Sequence, residues 1–168
     1  MAQAGHAAGL RVTLTHRPQV SLSVVAGALR EMLAKIGITV EETTLDWSRM
    51  LEAMKGHLPF YLAAWQFDDG DAWTFLRDCL FTRSPDLGYG TFNAGYSNPV
   101  VDRLIDEHDR VFDGAKRRQA SDTLMHLLND DAPLVPLYLP QNLYGVSESV
   151  VWKPRIDGNL FAAEMSFR

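Results

Sequence analysis

Strand and helix patterns alternate through the first 66 residues, and that alternation limits the fold more than any other feature of the chain. Leu10, Val12 and Leu14 alternate with Arg11, Thr13 and Thr15, the period-two pattern of a half-buried strand. Leu22, Val25, Ala26, Leu29, Met32, Leu33 and Ile36 then follow the 3.6-residue period of a helix, with Ser21 as its expected N-cap and Gly37 as its C′ stop. Strand character returns over 38–45, with Ile38 and Val40 on one face. Asp46 is placed to cap a short helix with Trp47, Met50, Leu51 and Met54 on its inner face. After Gly56 and Pro59, the apolar run 60–65 reads as a buried strand. Strands separated by helices of this length imply parallel pairing through right-handed crossovers, with helices covering the sheet.

The second half is patterned differently. A helix is expected over about 71–81, followed by a Gly-, Asn- and Ser-rich loop over 84–98. Val100, Val101, Leu104, Ile105, His108 and Phe112 form the apolar stripe of another helix. Asp113 is expected to cap a further one carrying Ala120, Leu124, Leu127 and Leu128, which stops before Pro133. The segment 134–140 is apolar and extended, but Pro136 and Pro140 confine it to an edge or an irregular strand. Short strands are expected over 143–146 and 165–167.

The most chemically suggestive stretch is Ala64-Trp65-Gln66-Phe67-Asp68-Asp69-Gly70-Asp71, where an apolar strand runs into a cluster of carboxylates just before a helix. In open α/β sheets, ligands are held in the crevice beyond the carboxyl ends of the strands. An aromatic wall beside an uncompensated carboxylate suits a ligand that carries a cation on an apolar body. Turn formation and helix capping also account for acidic residues here, but a cap needs only one of the three.

Several function classes lack the residues they need. A net charge of −5 offers no basic stripe for nucleic acid. The single Cys79 excludes an intrachain disulfide and any cysteine-based metal cluster. The five histidines fall in separate elements without metal-ligand spacing. An EF-hand fails because, with Gly70 at the sixth loop position, Trp65 and Phe67 would occupy ligand positions. No Gly-x-Ser-x-Gly elbow, phosphate-cradling loop or Cys/His pair is present, so neither catalysis nor a cofactor is expected. No apolar run approaches the ~20 residues of a membrane span, and residues 1–6 do not read as a signal peptide.

A longer pattern places the acidic stretch in context. Trp65-x-x-Asp68, Gly70-Asp71-x-x-x-Phe75-Leu76, the run Gly95-Tyr96-Ser97-Asn98-Pro99-Val100-Val101-Asp102-x-Leu104-Ile105, Asp113-x-x-x-Arg117-Arg118 and Asp130-Asp131-Ala132-Pro133-Leu134-Val135-Pro136-Leu137 occur in that order. Upstream lie Ala4-Gly5-His6, Leu33-Ala34-Lys35-Ile36-Gly37-Ile38 and Leu45-Asp46-Trp47. The set resembles the carboxy-terminal lobe of the dipeptide/oligopeptide-type solute-binding proteins of bacterial ABC importers, solute-binding family 5.

That resemblance implies one α/β lobe over 1–168, of the type II periplasmic binding protein kind. Its mixed, largely parallel sheet would be flanked by helices, with a helix-rich second half and irregular C-terminal strands. It implies capture of a peptide or other small molecule between this lobe and an amino-terminal lobe absent here, and delivery to permease subunits from the periplasm or cell surface. Asp68 would pair with the ligand's amino group and Trp65 would be a cleft aromatic, with Phe67, Trp73, His16 and Arg17 as further lining candidates. Many relatives have Asp-Pro where this chain has Gly70-Asp71, and the scaffold also serves nickel complexes, haem, sugars and opines. A sensor or interaction module that kept the fold is the alternative. Cleft residues left uncovered would favour a homodimer.

Overall fold

The computed structural model describes residues 2–56, 58–66, 72–108 and 110–168. The alternation at the start forms strand β1 (Leu10–His16), and the periodic segment after it forms helix α1 (Val20–Ala34). Strand β2 (Ile38–Thr44), helix α2 (Trp47–Lys55) and a two-residue strand β3 (Tyr61–Leu62) follow. These strands make a fully parallel sheet in the order β2-β1-β3, with Val12 opposite Val40 and His16 opposite Leu62. The even-numbered residues of β1 and β2 share one face. Leu14, Val40 and Leu62 there are sealed by Leu22 and Ala26 of α1, forming the first core cluster. The other face carries the exposed Thr13, Thr39 and Thr43 and a cross-strand Arg11–Glu41 ion pair.

The second half builds a separate helical core. Helix α3 (Trp73–Phe75) runs on into a π-helical stretch, Leu76–Leu80. Helices α4 (Pro99–His108) and α5 (Gly114–Asp131) pack against it through Val101, Ile105, Leu124 and Leu128. A two-stranded antiparallel sheet of β4 (Val150–Val151) and β5 (Ser166–Phe167) closes the chain. This is the α/β architecture expected, with a parallel sheet and a helix-rich second half.

The caps confirm part of the local reading. Asp46 accepts the Arg49 N–H at 2.9 Å, and Asp113 accepts those of Ala115 and Lys116 at 3.1 and 2.9 Å. Gly37 adopts φ +83° and donates its N–H to the Ala34 carbonyl at 3.1 Å, but α1 ends at Ala34 with Lys35 as its C-cap, so this glycine stands one position beyond the expected C′.

Other expectations need correction. Ser21 does not cap α1. The Gln19 N–H reaches the Arg17 carbonyl at 2.7 Å and closes a turn at Pro18, so the helix begins at Val20 with extended Gln19 at its N-cap. The buried strand over 60–65 shrinks to Tyr61–Leu62, because β3 is an edge strand and Ala63 and Ala64 are exposed. Trp47 does not join Met50 and Met54 on the buried face of α2 and stays 41% exposed. Phe112 lies outside α4 and is exposed, since Arg110 and Val111 donate back to Glu107 and His108 in tight turns that end the helix. Residues 133–149 form no ladder, so neither 134–140 nor 143–146 is a strand. Val135, Leu139 and Leu143 there are exposed.

Candidate functional site

The three parallel strands deliver their carboxyl ends to one rim of the molecule. His16 ends β1, Thr44 ends β2 and Leu62 ends β3, and the Leu45 N–H donates to the His16 carbonyl at 3.0 Å to tie the first two ends together. The turn after β1 carries Arg17, whose guanidinium lies over the Trp47 ring at 5.3 Å from its centroid, a cation–π contact.

Trp47 is the first residue of α2. Helical side chains lean toward the N-terminus, so its ring covers the turn before the helix and sits at the strand ends, away from the core. It packs on Phe92 with centroids 5.7 Å apart. Phe92 in turn meets Trp65 edge-on at 5.2 Å, and Trp65 meets Phe75 edge-on at 5.5 Å. Four aromatic rings and a guanidinium therefore form one continuous wall, each contact in the range where ring quadrupoles attract. A hollow of ≈ 460 Å³ opens at the same rim, lined by Pro18, Val20, Val24 and Thr44 among others.

Loop contacts hold Phe92 in place. Its N–H donates to the Asp78 carbonyl at 2.9 Å, and its carbonyl accepts the Tyr61 hydroxyl at 2.5 Å. Asn93, 3% exposed, donates to the carbonyls of Phe81 and Tyr96 at 2.7 and 2.9 Å and accepts the Gly95 N–H at 2.6 Å. Gly90 enters this turn at φ +69°, where a Cβ would meet the Phe81 carbonyl and the Arg83 backbone at 2.6 Å, so no other residue fits.

Burial, and secondarily Cys79, pushes the Tyr61 hydroxyl up to about 12, which keeps it a neutral donor to Phe92. Burial, and secondarily the Asp78 carboxylate, pushes the Cys79 thiol up to about 12 as well. A thiol so far from its thiolate form is a poor nucleophile at neutral pH. Among the described residues, no three His, Cys, Asp or Glu side chains converge to hold a metal ion.

The sequence-derived candidates separate into three groups. Arg17 and Trp65 come together on one wall, joined by Trp47 and Phe92. Trp73 goes elsewhere: it is 7% exposed, and its ring stacks flat on His108 at 4.9 Å inside the helical core, so it presents no face to a cleft. His16 is 1% exposed and lies beneath the rim without lining it. Asp68 and Phe67 lie outside the described residues. Phe92 was not singled out from the sequence. Its only signal was an aromatic residue inside a Gly- and Asn-rich loop.

The chain is similar to known proteins over most of its length. It is 28% identical over 151 residues to di/tripeptide-binding protein 4 of Pseudomonas aeruginosa, an alignment covering 86% of this chain and 28% of the relative. Among solved structures, the ABC transporter-associated periplasmic binding protein DppA of Helicobacter pylori, in complex with the peptide STSA, is 26% identical and superposes with a TM-score of 0.66, covering 81% of this chain and 27% of that one. These similarities agree with the resemblance to family 5 solute-binding proteins. AgaA of Agrobacterium tumefaciens, a PBP solved with agropinic acid, is 29% identical with a TM-score of 0.65, covering 80% of this chain and 27% of its own. No family model matches the chain. The chain spans little more than a quarter of the length of these relatives. The relatives are binding proteins, and the fold is that of type II periplasmic binding proteins. Among the described residues, no helix is long and apolar enough to cross a membrane.

Proposed function

We propose that this chain is the carboxy-terminal ligand-binding lobe of a solute receptor that serves an ABC importer in the periplasm or at the cell surface. The aromatic wall from Arg17 to Phe75 at the carboxyl rim of the parallel sheet carries this reading. The ligand is a peptide or another amine-bearing small molecule. Trp65 provides an apolar contact, Asp68, three positions on in the chain, takes the ammonium group, and Arg17 at the far end of the wall suits an anionic group on the same ligand. Phe67, two positions after Trp65 in the chain, is a further lining candidate, whereas Trp73 packs in the helical core. The protein binds and releases its ligand unchanged. An amino-terminal lobe supplies the opposing wall and closes about a hinge, and permease subunits receive the closed form.

One wall cannot bind as two do. An intact receptor with a Kd of ~1 μM gains about 8 kcal/mol, and half of its contacts must still meet the full association cost. Calorimetry of this chain with di- and tripeptides is expected to give millimolar or undetectable affinity, and a micromolar Kd would overturn the single-wall reading. In the two-lobed parent, Asp68→Asn is expected to weaken amine-bearing ligands by about 2 kcal/mol or more, the cost of removing a buried charge partner. Unchanged affinity there would remove Asp68 from the site.

A further inference from the structure

His16 ends the central strand, buried to 1% exposure directly beneath Arg17. Its Nδ1 lies 2.8 Å from the Arg17 carbonyl oxygen. That oxygen can only accept, so Nδ1 carries the hydrogen and donates it. The opposite tautomer would set two lone pairs against each other at hydrogen-bond distance. Nε2 makes no hydrogen bond and lies 3.6 Å from an oxygen of Glu42 on β2, whose other oxygen accepts from Arg30 of α1 at 2.6 Å. The ring is thus held between β2 and the turn after its own strand. The same Arg17 carbonyl also accepts the Gln19 N–H at 2.7 Å, which closes the turn at Pro18.

We infer that His16 is the positioning residue of the candidate site: its Nδ1–H fixes the Arg17 carbonyl and so aims the Arg17 guanidinium over Trp47. A carbonyl held by two donors sets the Arg17 peptide plane, and with it the direction in which the side chain leaves the backbone. Without the imidazole donor, one tie remains and the arginine can swing off the tryptophan face. The proposal deepens the solute-binding reading, because Arg17 matters as the anion-facing end of the wall. Its test, however, needs no ligand.

Long-range ¹H–¹⁵N NMR of the whole chain at about pH 8.5, roughly two units above the ordinary imidazole pKa, is expected to show His16 as the Nδ1–H tautomer. A neutral Nε2–H tautomer would overturn the inference. The second readout is the upfield ring-current shift of the Arg17 side-chain protons, assigned through its disappearance in Trp47→Leu. His16→Leu fills the buried volume without a donor and is expected to lose more than half of that shift. His16→Asn, whose amide nitrogen stands close to where Nδ1 was, is expected to retain it. Equal shifts in His16→Leu and the wild type, with a folded amide spectrum in both, would show that Arg17 is aimed by something else. Failure of the solute-binding reading would appear only in ligand titrations and would leave these NMR results unchanged.

Discussion

Trp65 and Trp73 stand eight positions apart on either side of the acidic stretch of the sequence, yet they serve different regions of the molecule. Trp65 belongs to the sheet rim, half-buried, with Phe75 and Phe92 against it edge-on and its remaining surface open. Trp73 belongs to the helical core, buried and stacked face to face on His108 among Leu76, Ile105 and Leu124. At the rim, parallel strands end together and project side chains that the core does not consume. In the helical unit, α3 to α5 bury Trp73 among other apolar side chains. A ring can meet a ligand in the first region and can only pack in the second.

The sharpest way to break this contrast is to truncate both rings. Trp73→Ala is expected to cost about 3–5 kcal/mol, the range for a buried aromatic, whereas Trp65→Ala should cost roughly half as much or less. Urea unfolding of the two variants measures the difference, and equal losses would mean that Trp65 is a core residue and the wall is structural. A smaller effect is expected at the loop that joins the regions. Asn93→Ala leaves the Phe81 and Tyr96 carbonyls and the Gly95 N–H without their partner, which predicts a loss of about 2 kcal/mol or more and a weakened Phe92–Trp65 contact visible in near-ultraviolet circular dichroism. If the near-ultraviolet signal is untouched while stability falls, Asn93 serves the helical region alone.

The smallest effect concerns the clasp between this loop and the end of α5. The Tyr96 hydroxyl donates to Asp131 at 2.6 Å, and the Asn98 amide donates to the same oxygen at 2.7 Å. These bonds, Tyr96's first, hold the Asp131 carboxyl below its ordinary value. Burial first, and the Asp131 hydrogen bond second, raise the Tyr96 hydroxyl to about 12. The signs follow by linkage. Asp131's contribution is present above the ordinary carboxyl value and fades as pH falls through its lowered one. Tyr96's is present below the ordinary phenol value and is lost as pH rises through about 12. Tyr96→Phe is therefore expected to move the Asp131 titration, followed by NMR, back toward the ordinary range. An unmoved titration would show that Asn98 alone sets it.

Much of the secondary structure was legible in the sequence because the signals for it are local. The alternation of Leu10, Val12 and Leu14 needs only a strand with one buried face, and the Asp46 and Asp113 caps need only the next turn of helix. Where a signal depended on distant partners, local reading failed. The run 60–65 is apolar enough for a buried strand, but an edge position left it two residues of ladder. The segment 143–146 found no partner strand at all. Trp47 shares the period of Met50 and Met54, yet its place in the first turn carries it past the core. Phe92 is placed by Tyr61 from 31 positions away, which no periodicity records.

The sequence by itself determined the order of strands and helices, the parallel sheet, the Asp46 and Asp113 caps and the family resemblance, because these rest on local patterns and on motifs kept in order along the chain. It also singled out Arg17 and Trp65. Only the tertiary structure decided that these two share one wall through Trp47 and Phe92, that Trp73 packs inside, and that His16 is buried with its Nδ1 on the Arg17 carbonyl. Those assignments depend on which side chains meet across long separations, and packing alone settles that.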